Sequence, residues 1–294
     1  MLTIEKCREE LGEVAKDMTD EQVKEVRDSL YAMAELALDT YIERCNMKAM
    51  EMDRKKLVDF LLKGLNLTQE EVDKHREFYN NHFNEYENDV YLDSKTRMVH
   101  LLNFWEENLW FNERFNLFFK HYDNYEAIID FGYGLPYLAI ALAEKNELNR
   151  LPKQIFVDKY QSAEDVSKEI LSYLKLEATF ITKGIESEEV FKDLGALDLP
   201  NKKLFVALET IEHLNNPEQF WSNLKYFQGS DFIVSLPVGP KIPSHTLFFG
   251  SVEEVREYLS KYLDIKDEHI AQPKGKEGRD LDQYKVFSCL GNIK

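Results

Sequence analysis

The chain is short of cysteine, of long apolar runs and of basic clusters, and each shortage narrows its function. Its three cysteines, Cys7, Cys45 and Cys289, are scattered and form no CxxC pair. They read as free thiols in a reducing compartment rather than as a disulfide framework or a zinc-thiolate site. No apolar run approaches the roughly 20 residues that a membrane-spanning helix needs. The segment Met1-Leu-Thr-Ile-Glu-Lys-Cys-Arg-Glu-Glu10 has neither the basic region nor the apolar stretch of a secretory signal. A cytoplasmic location without a membrane partner is therefore expected. The longest basic run is Arg54-Lys55-Lys56, in a chain whose formal net charge is −17. Phosphate contacts need Lys and Arg, so nucleic acid is an unfavoured partner and a small molecule the expected substrate. There is no GxxxxGK[ST] loop, which argues against a P-loop ATPase.

The 294 residues are 44% hydrophobic and 31% charged, ordinary for a globular chain of one large or two smaller domains. Residues 1–95 are expected to be all-helical. Thr19 with Gln22, and Thr68 with Glu71, have capping-box spacing. Val23, Val26, Leu30, Met33, Ala34, Leu36 and Leu38 give an apolar pattern close to the helical period. A second pattern holds Leu57, Phe60, Leu61 and Leu65, broken by Gly64 and Asn66. This first region reads as a lid, a partner-docking element or a means of homo-oligomerisation.

Residues 96–294 form the second expected unit. Its first part, to residue 122, is dense in aromatics: Phe104, Trp105, Trp110, Phe111, Phe115, Phe118, Phe119 and Tyr122. They fit a helix packed on the following domain, a lid over a ligand pocket, or both. Trp105, Trp110, Phe111 and Arg114 are the candidate substrate-pocket walls. From residue 126 strands and helices alternate. Strands are predicted at 126–131, 154–158, 178–182, 203–208, 231–236, 264–270 and 283–290. Helices are predicted to start near Pro136, Ser162, Ser187, Pro217 and Ser251. The alternation predicts an α/β fold, a mainly parallel sheet with helices on both faces. No helical pattern separates the last two strands, so they should form an antiparallel hairpin connected through Gln272-Pro-Lys-Gly-Lys-Glu-Gly278.

The most informative stretch is Ala127-Ile-Ile-Asp-Phe-Gly-Tyr-Gly-Leu-Pro136. A strand, a glycine turn and a helix start make a nucleotide-sized binding edge. Gly132 and Gly134 permit positive φ and close approach of backbone to a ligand. Leu135-Pro136-Tyr137 fills the region where the dinucleotide fingerprint has its third glycine, and proline removes an amide donor that a pyrophosphate would use. That disfavours NAD. Asp158 closes the second strand, where a carboxylate can accept both hydrogen bonds of a ribose diol. Asp130, Tyr133, Lys159 and Glu209 complete the candidate cofactor edge.

After the fourth strand comes Glu209-Thr-Ile-Glu212-His213-Leu214, and after the fifth, His245. Were the first segment helical, Glu209, Glu212 and His213 would share one face at i, i+3 and i+4. Three roles are open to these residues. Glu209 and Glu212 can be solvated or capping groups beside a structural histidine. His213, with His245, can serve catalysis, His213 as the general base that takes a proton from an acceptor. Glu209, Glu212, His213 and His245 can hold a divalent cation, a donor set suiting Zn²⁺ or a first-row ion better than Mg²⁺.

Asp130-Phe-Gly-Tyr-Gly134, Asp158, Ala207-Leu-Glu-Thr-Ile-Glu-His-Leu214 and the terminal hairpin at 264–290 together resemble the class I S-adenosylmethionine (SAM)-dependent methyltransferases. The resemblance spans about residues 100–290. It implies a seven-stranded Rossmann-like sheet with an antiparallel last strand, SAM as cofactor, Gly132 and Gly134 against its methionine part, and Asp158 on the ribose. Glu186 is the acidic residue that would stand in on the adenine side. Glu-x-x-Glu-His with a later His resembles the pattern of ubiquinone-pathway O-methyltransferases and of small-RNA 3′-end 2′-O-methyltransferases. There a cation holds adjacent oxygens of the acceptor and lowers the pKa of the attacked hydroxyl. The acidic charge fits the first of these better. No Asn-Pro-Pro-Tyr element follows the fourth strand, which argues against methylation of adenine or glutamine amino groups. The resemblance thus implies O-methylation of a small molecule. A SAM-binding or regulatory module without turnover is the alternative.

Overall fold

The computed structural model describes residues 2–31, 52–82, 93–106, 115–240, 245–272 and 285–294. The helical expectation for the first region holds over its described parts. Helix α1 spans Ile4–Leu11 and α2 spans 20–31. They are followed by α3 (Arg54–Gly64) and α4 (Gln69–His82). Both capping boxes form: the Thr19 amide donates to Gln22 Oε1 at 2.8 Å and the Gln22 amide to Thr19 Oγ1 at 3.3 Å. At Thr68 and Glu71 the reciprocal distances are 2.9 and 3.2 Å. Helix α3 ends at Gly64, which lies against α8: a Cβ there would meet Glu169 Oε2 at 2.5 Å. Asn66 then takes a left-handed φ of 52°. The apolar positions 33–38 lie outside the described residues.

Helices α5 (Ser94–Glu106) and α6 (Asn116–His121) lead into the sheet. The order is then β1 (Ala127–Phe131), α7 (Tyr137–Glu144), β2 (Lys153–Asp158), α8 (Gln161–Leu174), β3 (Thr179–Thr182), α9 (Glu188–Ala196) and β4 (Lys203–Leu208). It continues through α10 (Pro217–Leu224), β5 (Asp231–Val238), α11 (Val252–Leu259), β6 (Leu263–Ala271) and β7 (Lys285–Ile293). The sheet has seven strands in the order β3-β2-β1-β4-β5-β7-β6. Strands β1 to β5 pair in parallel, and β7 runs antiparallel between β5 and β6. Every expected strand is present, as is the terminal hairpin; the connection through residues 273–278 lies outside the described residues. The expected α/β architecture is the observed one.

Strand alternation explains the two cores. Ile128, Phe156, Leu204, Val206 and Ile233 face α3, α5, α6, α7 and α8. Ile129, Phe131, Ile155, Val157, Phe205 and Val234 face α9, α10 and α11. Leu57, Leu61 and Val72 of α3 and α4 join the first of these cores, so these helices build the same packed body as the sheet. Helices α1 and α2 meet in a small separate cluster around Cys7, Ala15 and Val23. Phe104, Trp105, Phe115, Phe118 and Tyr122 are buried in the first core, as the packed-helix reading expects. None of the described helices is long and apolar enough to cross a membrane.

Candidate functional site

The strand order reverses between β1 and β4, because the chain moves outward from β1 to β3 and then returns to the other side of β1. At such a point the loops after adjacent strands diverge and leave a crevice at their carboxyl ends. The glycine turn occupies it. Gly132 and Gly134 have φ of 65° and 61°, a left-handed backbone that favours glycine. The Gly132 amide extends the β1–β2 ladder with a 2.7 Å bond to the Val157 carbonyl. A Cβ at Gly132 would sit 2.2 Å from Thr210 Cγ2, and one at Gly134 would sit 3.2 Å from Arg97 Nη1. Pro136 precedes the helix as its N-cap, and its carbonyl accepts from the Ile140 amide at 3.1 Å.

The Tyr133 ring lies in the first core, 4.5 Å between centroids from Phe156 and 6.2 Å from Phe180. The part of Tyr133 that remains at the turn is its backbone. Asp158 is 7% exposed. It accepts from the Gly134 amide at 3.4 Å and from the Tyr160 amide at 3.0 Å. Its oxygens retain lone pairs for further donors. Burial, and then the Asp158 charge, hold the Asp130 carboxyl well above the usual carboxylate range. Lys159 is exposed, with its ammonium 4.8 Å from the Tyr160 ring centroid. Glu186 accepts from the Asn216 amide ahead of α10, so its carboxylate is committed to the packing of that helix.

The Glu-x-x-Glu-His segment departs from the helical face that its spacing suggests. Glu209 takes a left-handed φ of 50° directly after β4. Its amide donates to Ser235 Oγ at 2.9 Å, which fixes the turn. A single 3₁₀ turn, Ile211–His213, follows. The left-handed residue rotates Glu209 out of helical phase with Glu212 and His213, so the i, i+3, i+4 face does not form. Ile211 anchors the 3₁₀ turn in the second core.

The fold nonetheless brings His245 to this turn, although 32 residues separate it from His213. The Thr246 amide donates to the Glu212 carbonyl at 2.7 Å, and its hydroxyl reaches the Leu214 carbonyl at 2.7 Å. The His213 and His245 rings stand edge to face, 4.6 Å between centroids. Ligand atoms of Glu212, His213 and His245 lie within 4.8 Å of one another. Glu212 is 1% exposed, His245 half-buried and His213 exposed. Glu209 lies outside this cluster. Burial, then the neighbouring His213, push the His245 imidazole down to about 4. At neutral pH His245 is therefore uncharged, the form that binds a cation or accepts a proton.

Thr210 joins the two halves of the site. Its hydroxyl lies 3.4 Å from the Gly132 carbonyl, and its own carbonyl accepts from the His213 amide at 3.1 Å. Trp105 is buried, with the Arg54 guanidinium 5.5 Å from its ring centroid. Trp110, Phe111 and Arg114, the other expected pocket walls, lie outside the described residues.

No protein-family model matches the chain, and no curated protein matches it. Among solved structures it is similar to a putative methyltransferase from Bacillus halodurans, with 10% identity over 58% of this chain and 94% of that one and a TM-score of 0.39. It is similar to a SAM-dependent methyltransferase from Aquifex aeolicus, with 16% identity, 61% and 89% coverage and a TM-score of 0.40. It also overlaps the small RNA methyltransferase HEN1, with 16% identity over 60% of this chain and 25% of that one and a TM-score of 0.42.

The site also holds a residue that the sequence did not point to. Arg97 of α5 reaches the glycine turn, and in the sequence it stands between Asp93-Ser-Lys-Thr96 and Met98-Val99 with no motif around it.

Proposed function

We propose that the chain is a SAM-dependent methyltransferase that methylates an oxygen of a small molecule, with a divalent cation held by Glu212, His213 and His245. One observation carries this reading. Two left-handed glycines lie beside the buried Asp158 carboxylate at the strand-order reversal, and Thr210 links them to an acid–imidazole cluster.

The residues fit the cofactor. Gly132 and Gly134 hold the turn left-handed, and a Cβ at either would press on Thr210 or Arg97, so the shape of this turn depends on glycine. Asp158 accepts hydroxyl donors from a ribose. When bound, SAM supplies a methyl group on a sulfonium that carries its own leaving group. The chain's task is then to align donor and acceptor and to exclude water. The acid–imidazole set fits a cation of the Zn²⁺ or first-row type. Such an ion lowers the pKa of a hydroxyl bound to it. His245, neutral at physiological pH, can serve as a ligand or, without metal, as the base.

Thermal-shift measurements with SAM, S-adenosylhomocysteine and NAD test the cofactor. Stabilisation by the first two is expected, and stabilisation by NAD alone would overturn the reading. Isotopic methyl transfer to a metabolite extract then separates an enzyme from a binding module.

The cation makes its own prediction. Glu212→Gln is expected to weaken Zn²⁺ or Mn²⁺ binding by more than the roughly 10–100-fold that loss of an outer-shell partner costs. Chelation should abolish methyl transfer. Full activity after both treatments would remove the metal and leave the histidines as acid–base groups.

A pH effect follows from His245. Its folded pKa is depressed from 6.5 to about 4, so between these values the unfolded chain binds the extra proton. His245 therefore favours folding above pH 6.5, and that contribution is lost as pH falls towards 4. Denaturant titrations of the metal-free protein at pH 7, 5.5 and 4.5 should show a steeper loss in wild type than in His245→Gln. Parallel losses would refute the shift.

A further inference from the structure

Two polar groups face each other across the last hairpin without a hydrogen-bond partner among the described residues. Ser288 of β7 is fully buried, and its Oγ is one of them. His269 of β6, half-buried, stands directly opposite Ser288 in the antiparallel register, and its Nε2 is the other. Neighbouring polar side chains of β6 behave differently: Glu268 takes two bonds from Arg256 at 2.9 Å, and Asp267 accepts from Lys120 at 2.7 Å and meets His121 at 2.8 Å. A buried polar atom left unpaired costs stability, so such an atom marks a place for a water or a ligand.

The register sets this pair beside the acid–imidazole turn. Ser288 also lies opposite Ser235 of β5, and Ser235 lies opposite Leu208, the last residue of β4. Ser235 Oγ accepts from the amide of Glu209, which opens the turn to Glu212 and His213. Neighbouring strands are about 4.8 Å apart, so Ser288 and His269 lie roughly 10–15 Å across the sheet from the end of β4. Val234, Leu236, Phe287 and Cys289 face the second core, so alternation turns Ser235, Ser288 and His269 to the other side of the sheet. One step further along the same face, Pro237, Val286 and Ala271 form an apolar row in register. Val286 and Ala271 are buried but belong to neither of the two large cores. An apolar lining with a few fixed polar groups is the make-up of a small-molecule site.

We infer that Ser288 and His269 hold a carbonyl oxygen of the methyl acceptor, so that the substrate is a hydroxy compound bearing a carbonyl group on the order of 10 Å from the methylated oxygen. This rests on the methyltransferase reading above. A carbonyl oxygen has two lone pairs, and a hydroxyl and an imidazole N–H can each fill one. Ser235 is a positioning residue that couples this floor to the turn carrying Glu212 and His213. An uncharged carbonyl suits a chain of net charge −17 better than a carboxylate does.

Isotopic methyl transfer from SAM by the full-length chain tests the proposal with a series of probes. Each probe is a catechol carrying a methyl ketone on an alkyl spacer that is lengthened stepwise, and each is compared with the isostere in which CH2 replaces C=O. At one spacer length wild type should prefer the ketone by about 5- to 30-fold in kcat/KM, as expected for a buried hydrogen bond that would otherwise go unmade. In Ser288→Ala and in His269→Leu that ratio should fall to near unity. His269→Gln keeps an N–H donor and should retain part of it. A merely structural pair would slow both probes equally and leave their ratio intact.

The ligand-free protein gives a second readout. Ser288→Ala should unfold at the same temperature as wild type or a higher one, because it removes an unpaired buried hydroxyl. A lower unfolding temperature would mean that ordered water alone completes the pair, and it overturns the proposal; if no probe is methylated, this measurement decides. A ketone preference that survives Ser288→Ala, or its absence from wild type at every spacer length, also overturns the proposal and leaves the methyltransferase reading standing. If neither SAM nor S-adenosylhomocysteine binds wild type, that reading fails and this inference fails with it.

Discussion

Gly132→Ala is expected to destabilise the chain by about 2–5 kcal/mol and to abolish measurable cofactor binding. Two costs add. A non-glycine residue in the left-handed region costs about 1–2 kcal/mol, and Gly132 has φ of 65°. Overpacking a filled site costs about 1–3 kcal/mol, and the new methyl would lie 2.2 Å from Thr210 Cγ2 and 2.6 Å from Thr210 Oγ1. Relief by movement of Thr210 would disturb the turn that carries Glu212 and His213, since the Thr210 carbonyl accepts from the His213 amide.

The two costs can be separated. Thr210→Ala removes both clashing atoms, so in the Gly132→Ala background it should restore the packing part and leave the backbone part. Denaturant unfolding of the two single variants and the double variant closes that cycle. Gly134→Ala is the natural comparison. It carries the same backbone penalty, but its methyl meets Arg97 Nη1 at 3.2 Å, so it should be the milder of the two for stability. Wild-type stability in Gly132→Ala would contradict the close approach of Thr210 to this turn.

Asp158→Asn should separate binding from stability. Affinity for S-adenosylhomocysteine is expected to fall by roughly 10- to 150-fold, the value of about 1.5–3 kcal/mol for hydrogen bonds to a charged acceptor. The ligand-free chain should stay close to wild type in stability, because two effects oppose. Burial, and then the Asp158 charge, raise the pKa of Asp130, so an ionised Asp130 is repelled by Asp158. Removing one charge relieves that repulsion and the asparagine oxygen can still accept from the Tyr160 amide, but its NH2 group takes the place of the acceptor of the Gly134 amide. The Asp130 carboxyl should then titrate lower. Calorimetric binding, denaturant unfolding and carboxyl NMR give the three readouts. Asp158→Ala should behave differently, because it also strips the acceptor from the Tyr160 amide. Undiminished affinity in both variants would contradict a ribose role for Asp158.

The regular elements were legible because short-range physics sets them. Thr19 with Gln22 and Thr68 with Glu71 cap their own backbones within one turn. Ser187 and Ser251 do the same, accepting from Glu189 and Glu254 amides as N-caps of α9 and α11. Apolar runs bounded by turn residues marked β1, β2, β4 and β5. The antiparallel end of the sheet followed from the lack of a helix between β6 and β7, since a hairpin needs no crossover.

The site was less legible, because its geometry depends on single backbone torsions and on contacts between distant segments. Nothing local to Glu209 announces a φ of 50°; Ser235 on the neighbouring strand holds that amide. His245 meets His213 through Thr246, a residue without a motif of its own. Tyr133, within the glycine turn, sends its ring into the core.

By itself, then, the sequence determined the strands, the helices and their caps, the glycine turn and the acidic end of β2. These depend on periodicity and on neighbours a few residues apart. Only the tertiary structure decided that Glu209 leaves the Glu212–His213 pair, that His245 joins it, and that a buried Arg97 faces Gly134. Burial and close approach are properties of the packed chain, fixed when α5 packs over the turn, and no spacing along the sequence encodes them.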